Sequence, residues 1–226
     1  MKLYKYGSLC LKRVNIRNGI AKHTEVTDDH MTPELKLRLI TPRSPLWTDK
    51  PETCEFKNPF WAFYWAGGQA LTRYILDHAE DFQGRYVLDL GSGCGASAIA
   101  AAKCNAKACF ANDVDNVSCE AICMNAHMNG CRVHIIQKNI IAKKIQFKFD
   151  YVLVGDMFYD PFFASKLFSW LEMCKSKGAD VLIGDPGRYA LAKNFRKSLK
   201  LIEEYQLPLK YAAENNGFTS SAVWRL

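Results

Sequence analysis

The sequence predicts an α/β fold in which a mainly parallel sheet of seven strands is closed by an antiparallel C-terminal hairpin. Three observations lead there. From Tyr86 onward, short apolar runs alternate with helical segments, the pattern of βαβ units. The first of those runs ends in the glycine-rich turn Asp89-Leu90-Gly91-Ser92-Gly93-Cys94-Gly95, which opens directly into a helical stretch, as at the carboxyl edge of a doubly wound sheet. Near the C-terminus Asn216-Gly217 separates two apolar runs, a strong hairpin signal.

Taken in order, Met1 to Thr24 holds six basic residues and no acidic one, and residues 1–24 are expected to form a basic arm with the features of a mitochondrial targeting segment. Residues 25–226 are expected to form one domain. Thr32 reads as an N-cap with Pro33 at the first helical position, so a short helix is expected over Glu34–Ile40, ending before Pro42. The stretch from Thr41 to Pro59 is rich in Pro, Thr and charge and reads as a loop. After the aromatic cluster Phe60 to Trp65 and the pair Gly67-Gly68, a helix is expected over Ala70–His78. Strands are expected at Tyr86–Leu90, Ala108–Asn112, Arg132–Gln137, Tyr151–Gly155 and Asp180–Gly184, with helices at Ala96–Lys103, Val114–Met128 and Phe163–Lys177. A last helix is expected near Tyr189–Tyr205, and the hairpin strands at Leu207–Ala213 and Phe218–Trp224.

Composition narrows the function classes. No stretch approaches the run of about 20 apolar residues that crosses a bilayer, so no membrane partner is expected. The nine cysteines are odd in number and irregular in spacing, which argues for buried thiols in a reducing compartment over a disulfide framework. Cys119 and Cys123 stand one helical turn apart without a Cys-x-x-Cys or paired histidines nearby, and no metal site is expected. The formal charge of +7 suits an anionic partner, but after Thr24 no basic stripe is interleaved with aromatics, so no nucleic-acid partner is expected.

The glycine loop raises the question of which cofactor it takes. A dinucleotide site would read Gly-x-Gly-x-x-Gly, with a pyrophosphate on the helix N-terminus. Here the third glycine, Gly95, comes one position early, after Gly91 and Gly93. Asp89 stands two positions before Gly91, where it would repel a pyrophosphate and hold an ammonium group. Asp113 follows the second strand, 24 positions beyond Asp89, placed to accept hydrogen bonds from two ribose hydroxyls. An ammonium, a ribose and no phosphate describe S-adenosylmethionine rather than NAD. At the end of the fourth strand, Gly155-Asp156-Met157-Phe158-Tyr159-Asp160 faces the same crevice. The Asp156 carboxylate and Tyr159 phenol, three positions apart, suit an amine nucleophile that must be aimed at a methyl carbon. Enzymes acting on base amines carry prolines here, and this chain has none.

These segments, standing in this order with Tyr64-Trp65-Ala66-Gly67-Gly68-Gln69 before them and Gly184-Asp185-Pro186-Gly187-Arg188 after, resemble the seven-β-strand protein-lysine methyltransferases with an Asp/Glu-x-x-Tyr motif. Within that group they are most similar to the enzymes acting on the electron transfer flavoprotein β-subunit. The resemblance spans about Glu25 to Trp224 and implies a Rossmann-like class I methyltransferase fold. It further implies S-adenosylmethionine as cofactor, the flavoprotein β-subunit as protein substrate, the mitochondrial matrix as location, and Trp65 with its neighbouring glycines as a wall of the cofactor pocket. Ala66 departs from the proline expected in relatives. Two other readings stay open on the residues alone: a methyltransferase of another protein or small molecule, and a non-catalytic adenosylmethionine-binding assembly factor.

Overall fold

The computed structural model describes residues 2–48, 56, 59–141, 143, 147–212 and 215–226, the side chains of 2–11, 45 and 48 apart. In chain order the elements are α1 (Lys2–His23), β1 (Glu25–Thr27), β2 (Leu37–Leu39), α2 (Pro45–Thr48), α3 (Ala66–Asp77), α4 (Ala79–Phe82), β3 (Tyr86–Leu90), α5 (Ala96–Lys103), β4 (Ala108–Asp113), α6 (Asn116–Met128), β5 (His134–Gln137), β6 (Tyr151–Gly155), α7 (Pro161–Ser176), β7 (Asp180–Asp185), α8 (Tyr189–Asn194), β8 (Lys200–Gln206) and β9 (Ser220–Arg225).

Seven strands form one sheet in the order β5-β4-β3-β6-β7-β9-β8. The first five are parallel, while β9 runs antiparallel to both β7 and β8. This is the expected architecture. The chain enters at β3, winds outward to β5, then crosses back to β6 on the other side, so the switch point lies between β3 and β6. Both faces of the sheet are covered, which explains why the central strands read as mainly apolar runs, broken in β3 by Asp89. On one face Val87, Leu153, Leu182 and Val223 pack with α3, α5 and α6. Their neighbours Leu88, Val152, Val181 and Ile183 point the other way, onto α7 and α8.

The sequence expectations differ from the structure in several places, among them the short helix α2 inside the expected loop Thr41 to Pro59. Glu34–Ile40 is a turn followed by β2, which pairs antiparallel with β1. Leu35, Leu37 and Leu39 are buried with Lys36 exposed between them, an alternation of period two that outweighs the helical start signal. The apparent cap, Thr32, instead exchanges hydrogen bonds with His30 Nδ1 and the Tyr64 hydroxyl. The long helix near Tyr189–Tyr205 stops at Asn194, and Lys200–Gln206 is the outer hairpin strand. That edge strand carries Lys200, Glu203 and Glu204, charges that keep a sheet edge from pairing further but hide its period. Most of the expected strand Leu207–Ala213 is a loop with a single 3-10 turn, Leu209–Tyr211, and Ala213 lies outside the described residues, as do positions 49–55, 57 and 58 of the expected loop. Helix α3 also begins four positions earlier than expected, at Ala66.

The basic N-terminal segment is helical, and its second half lies on the domain. Ile20 is fully buried in a cluster with Ile40, Trp61 and Ala121, and Ile16 packs against that cluster. Arg13 and Arg17 bind the two carboxylate oxygens of Glu120 on α6 at 2.5 and 2.8 Å.

Candidate active site

The strand register brings the chemistry-bearing residues to one edge. Leu90 pairs with Asn112 and Val154, and Gly155 pairs with Gly184, so the loops after β3, β4, β6 and β7 open at the same level. Gly91, Gly93 and Gly95 all have positive φ, 63°, 54° and 85°, a conformation other residues rarely adopt. The carbonyls of this loop are tied to α6: Ser118 Oγ donates to Gly93 O at 2.9 Å and Asn125 Nδ2 to Cys94 O at 2.8 Å. Asn125 Oδ1 in turn accepts from Arg38 N, which anchors β2 beneath the loop.

Asp113, half-buried at the end of β4, accepts from Gly93 N through Oδ2 and from Asp115 N through Oδ1, both at 3.0 Å. Each carboxylate oxygen keeps accepting capacity beyond its one backbone partner. A hydroxyl pair finds acceptors here, whereas a pyrophosphate meets two aspartates, Asp113 and Asp115, at the mouth of the loop. The donor and acceptor set therefore fits a phosphate-free nucleoside. Asp89 sits deeper than expected for an ammonium partner. It is buried, and its Oδ2 accepts from Ser92 Oγ and from Ala98 N at 3.2 Å, so it braces the loop against the start of α5. Burial pushes its pKa from 3.8 to about 7.

Across the switch point stands Asp156, whose φ of 59° turns the chain sharply at the end of β6. Its carboxylate is buried between two elements: Oδ2 accepts from Gly67 N in the first turn of α3 at 3.0 Å, and Oδ1 from Arg188 Nε at 2.6 Å. Glycines make this possible. A Cβ on Gly67 would stand 2.3 Å from Gly184 O, and one on Gly155 would stand 2.9 Å from Gly68 Cα, so only glycines let α3 rest directly on β6 and β7. The turn after β6 touches the glycine loop, since a Cβ on Gly91 would come 2.3 Å from the Met157 sulfur.

Trp65 precedes α3 with its indole N–H donating to Phe60 O at 3.0 Å, and its ring lies 5.3 Å from Phe63. Tyr159 is exposed, with its ring 5.9 Å from Phe163. Of the residues singled out from sequence, Asp113 and the three glycines meet on the β3–β4 side. Asp156 and Trp65 meet on the β6–β7 side, Tyr159 lies at the rim and Asp89 underneath. Sequence reasoning missed the partner of Asp156. Arg188 stands 32 positions away, and its guanidinium also lies 5.3 Å from the Phe218 ring and 6.0 Å from the Trp65 ring. The rare tetrad Asp185-Pro186-Gly187-Arg188 was the available signal, but no spacing rule links it to Asp156.

Known proteins resemble this chain in sequence and in fold. A family model described as ribosomal protein L11 methyltransferase (PrmA) matches residues 67–160, which span the glycine loop and the Asp156 turn. The chain is 46% identical over 215 residues to the electron transfer flavoprotein beta subunit lysine methyltransferase of Danio rerio, covering 93% of this chain and 83% of that protein. Against the protein of the same name from Homo sapiens the identity is 42% over 212 residues, covering 92% and 81%. Among solved structures, magnesium protoporphyrin IX methyltransferase from Synechocystis with bound SAM shares the fold, with a TM-score of 0.54 at 14% identity, covering 80% of this chain and 87% of that one.

Proposed function

Because this chain belongs to the electron transfer flavoprotein beta subunit lysine methyltransferase family, we propose that it methylates lysine amines of that flavoprotein subunit, using S-adenosylmethionine. The observation that carries the reading is the pairing of two unlike carboxylates across one switch point. Asp113 is tied to the glycine turn through Gly93 N, and Asp156 to the guanidinium of Arg188.

When bound, S-adenosylmethionine supplies an activated methyl group on a sulfonium centre. The protein's own residues then have three tasks. Asp113 accepts from the ribose hydroxyls, and the turn Gly91 to Gly95 offers backbone at close range without Cβ atoms in the way. Asp156 holds the incoming amine. A free lysine has a pKa of about 10.4 and arrives as an ammonium, so a carboxylate first attracts it and then orients the amine once its proton has left to water. Trp65, expected from sequence as a wall of the cofactor pocket, lies beside the Asp156-bound guanidinium of Arg188 and is reassigned to the path of the aliphatic stem, where with Tyr159 it limits water around the lone pair.

A pair of variants separates the two halves of the site. Asp156→Ala is expected to reduce turnover on purified electron transfer flavoprotein β-subunit by at least about a hundredfold, as for lost positioning, with cofactor affinity close to wild type. Asp113→Ala is expected to weaken cofactor binding by about tenfold or more, the loss of a charged acceptor. Calorimetry and single-turnover assays that find the two effects exchanged or absent would overturn the assignment. We further place the reaction in the mitochondrial matrix, which the acid-free basic segment before Glu25 supports. Fractionation of cells expressing the full chain and a form beginning at Glu25 tests it, since equal distribution of the two would remove that support.

A further inference from the structure

The carboxylate assigned to the substrate amine already holds a cation of the chain's own. Arg188 Nε donates to Asp156 Oδ1 at 2.6 Å, and the guanidinium lies near two aromatic rings, Phe218 at 5.3 Å and Trp65 at 6.0 Å. A carboxylate whose bound cation lies beside two aromatic rings is the chemistry that binds a lysine ammonium, and the rings keep their grip as methyl groups replace N–H bonds. We propose that Arg188 is a latch which occupies the acceptor-lysine slot, and that Phe218, with Trp65, forms the walls of that slot. The proposal rests on Asp156 marking the acceptor end of the cleft.

Two further observations support a latch over a permanent brace. Arg188 is the N-cap residue before the short helix α8, and its backbone N–H and that of Gly187 both donate to Asp185 Oδ1 at 2.7 Å. Its main chain is therefore fixed by Asp185, independently of where the side chain points. In addition, Asp185 Oδ2 is buried without a hydrogen-bond partner among the described residues, three positions from Arg188. A guanidinium displaced by the substrate has a second carboxylate within the same turn. Phe218 follows Gly217 in the hairpin loop between β8 and β9, so this loop, far from the shared glycine motif, takes part in selecting the acceptor.

The latch makes a prediction of sign. Removing a competitor raises the fraction of open slots, so Arg188→Ala should lower the KM for the flavoprotein β-subunit by at least about threefold. Millimolar guanidinium should then inhibit that variant competitively against the protein substrate. A bracing role gives the opposite outcome: Arg188→Ala loses activity and guanidinium restores it. Phe218→Ala should raise KM by about tenfold, as for a lost cation–π wall, with kcat within about twofold and cofactor affinity unchanged. This second variant carries the test if Arg188→Ala does not fold. An unchanged KM in Phe218→Ala, or rescue by guanidinium in Arg188→Ala, overturns the proposal while an inactive Asp156→Ala leaves the methyltransferase reading standing. An active Asp156→Ala overturns both.

Discussion

Two carboxyl groups below the sheet edge, Asp89 and Asp185, are so far removed from water that burial raises each pKa from 3.8 to about 7. A folded value above the unfolded one means that the native chain binds the proton more tightly. The stabilisation from the neutral carboxyl is therefore full below about pH 4 and is lost as pH rises through about 7. His30, which burial lowers from 6.5 to about 4, pulls the stability curve the other way over the same range, so a difference measurement is needed. Asp185→Asn fixes the neutral form, and its melting temperature relative to wild type should climb from pH 4 to 7 and then level off. A flat difference across that range would show that Asp185 is ionised throughout in the native protein. At this scale the sequence was informative about position and silent about direction. Asp89 and Asp113 are both legible from their distances to the glycine turn, yet one points down into α5 and the other into the crevice. Strand register decides which, and single residues do not announce it.

Among the elements, those that touch the sheet centre were readable because burial on both faces leaves apolar runs, as in Tyr86 to Leu88 and Val152 to Val154. The elements misread are peripheral: β2 pairs with one short partner, and β8 sits at the edge with charged residues. Helix α3 is a different case, since its first turn holds two glycines that propensity alone would exclude. Tertiary packing overrides propensity there, because the backbone of Gly67 has to approach Gly184 and Asp156 directly. A Cβ on Gly184 would stand 2.0 Å from Gly67 O, with no side chain able to yield. Gly184→Ala is accordingly expected to lower the melting temperature by at least about 5 °C, an overpacking cost in a chain of this size. Gly68→Ala is the control, since its Cβ would meet only the Tyr64 ring at 3.7 Å. Equal melting of the Gly184 and wild-type proteins would mean that α3 can lift from the sheet, and that the Gly67–Asp156 hydrogen bond is dispensable.

At the scale of the whole molecule, the basic N-terminal segment has two parts to tell apart, support of the fold and the address proposed for it. Its charge pattern was plain in the sequence, but packing was not, because Ile16 and Ile20, one helical turn apart, stand among Arg13, Asn15, Arg17, Asn18 and Lys22. In the structure these two residues close the cluster of Ile40, Trp61 and Ala121, and the Arg13 and Arg17 hydrogen bonds hold Glu120 below the usual carboxylate range despite a burial that alone would raise it. Trp61 also precedes the aromatic approach to Trp65 and α3, so the segment supports one wall of the cleft at second hand. Two truncations distinguish address from support. A chain beginning at Lys12 keeps every one of these contacts and should melt with the full protein. A chain beginning at Glu25 uncovers the apolar cluster and leaves Glu120 without its arginines. Losing Ile20 alone removes roughly 1.5–3 kcal/mol of burial. Its melting temperature should fall by about 5 °C or more, at roughly 2–4 °C for each kcal/mol in a chain of this length. Coincident melting of the two truncated forms would make α1 an appendage resting on a domain that is complete without it. A loss confined to the shorter form would mean that import processing, if it occurs, has to spare the helix from Arg13 onward.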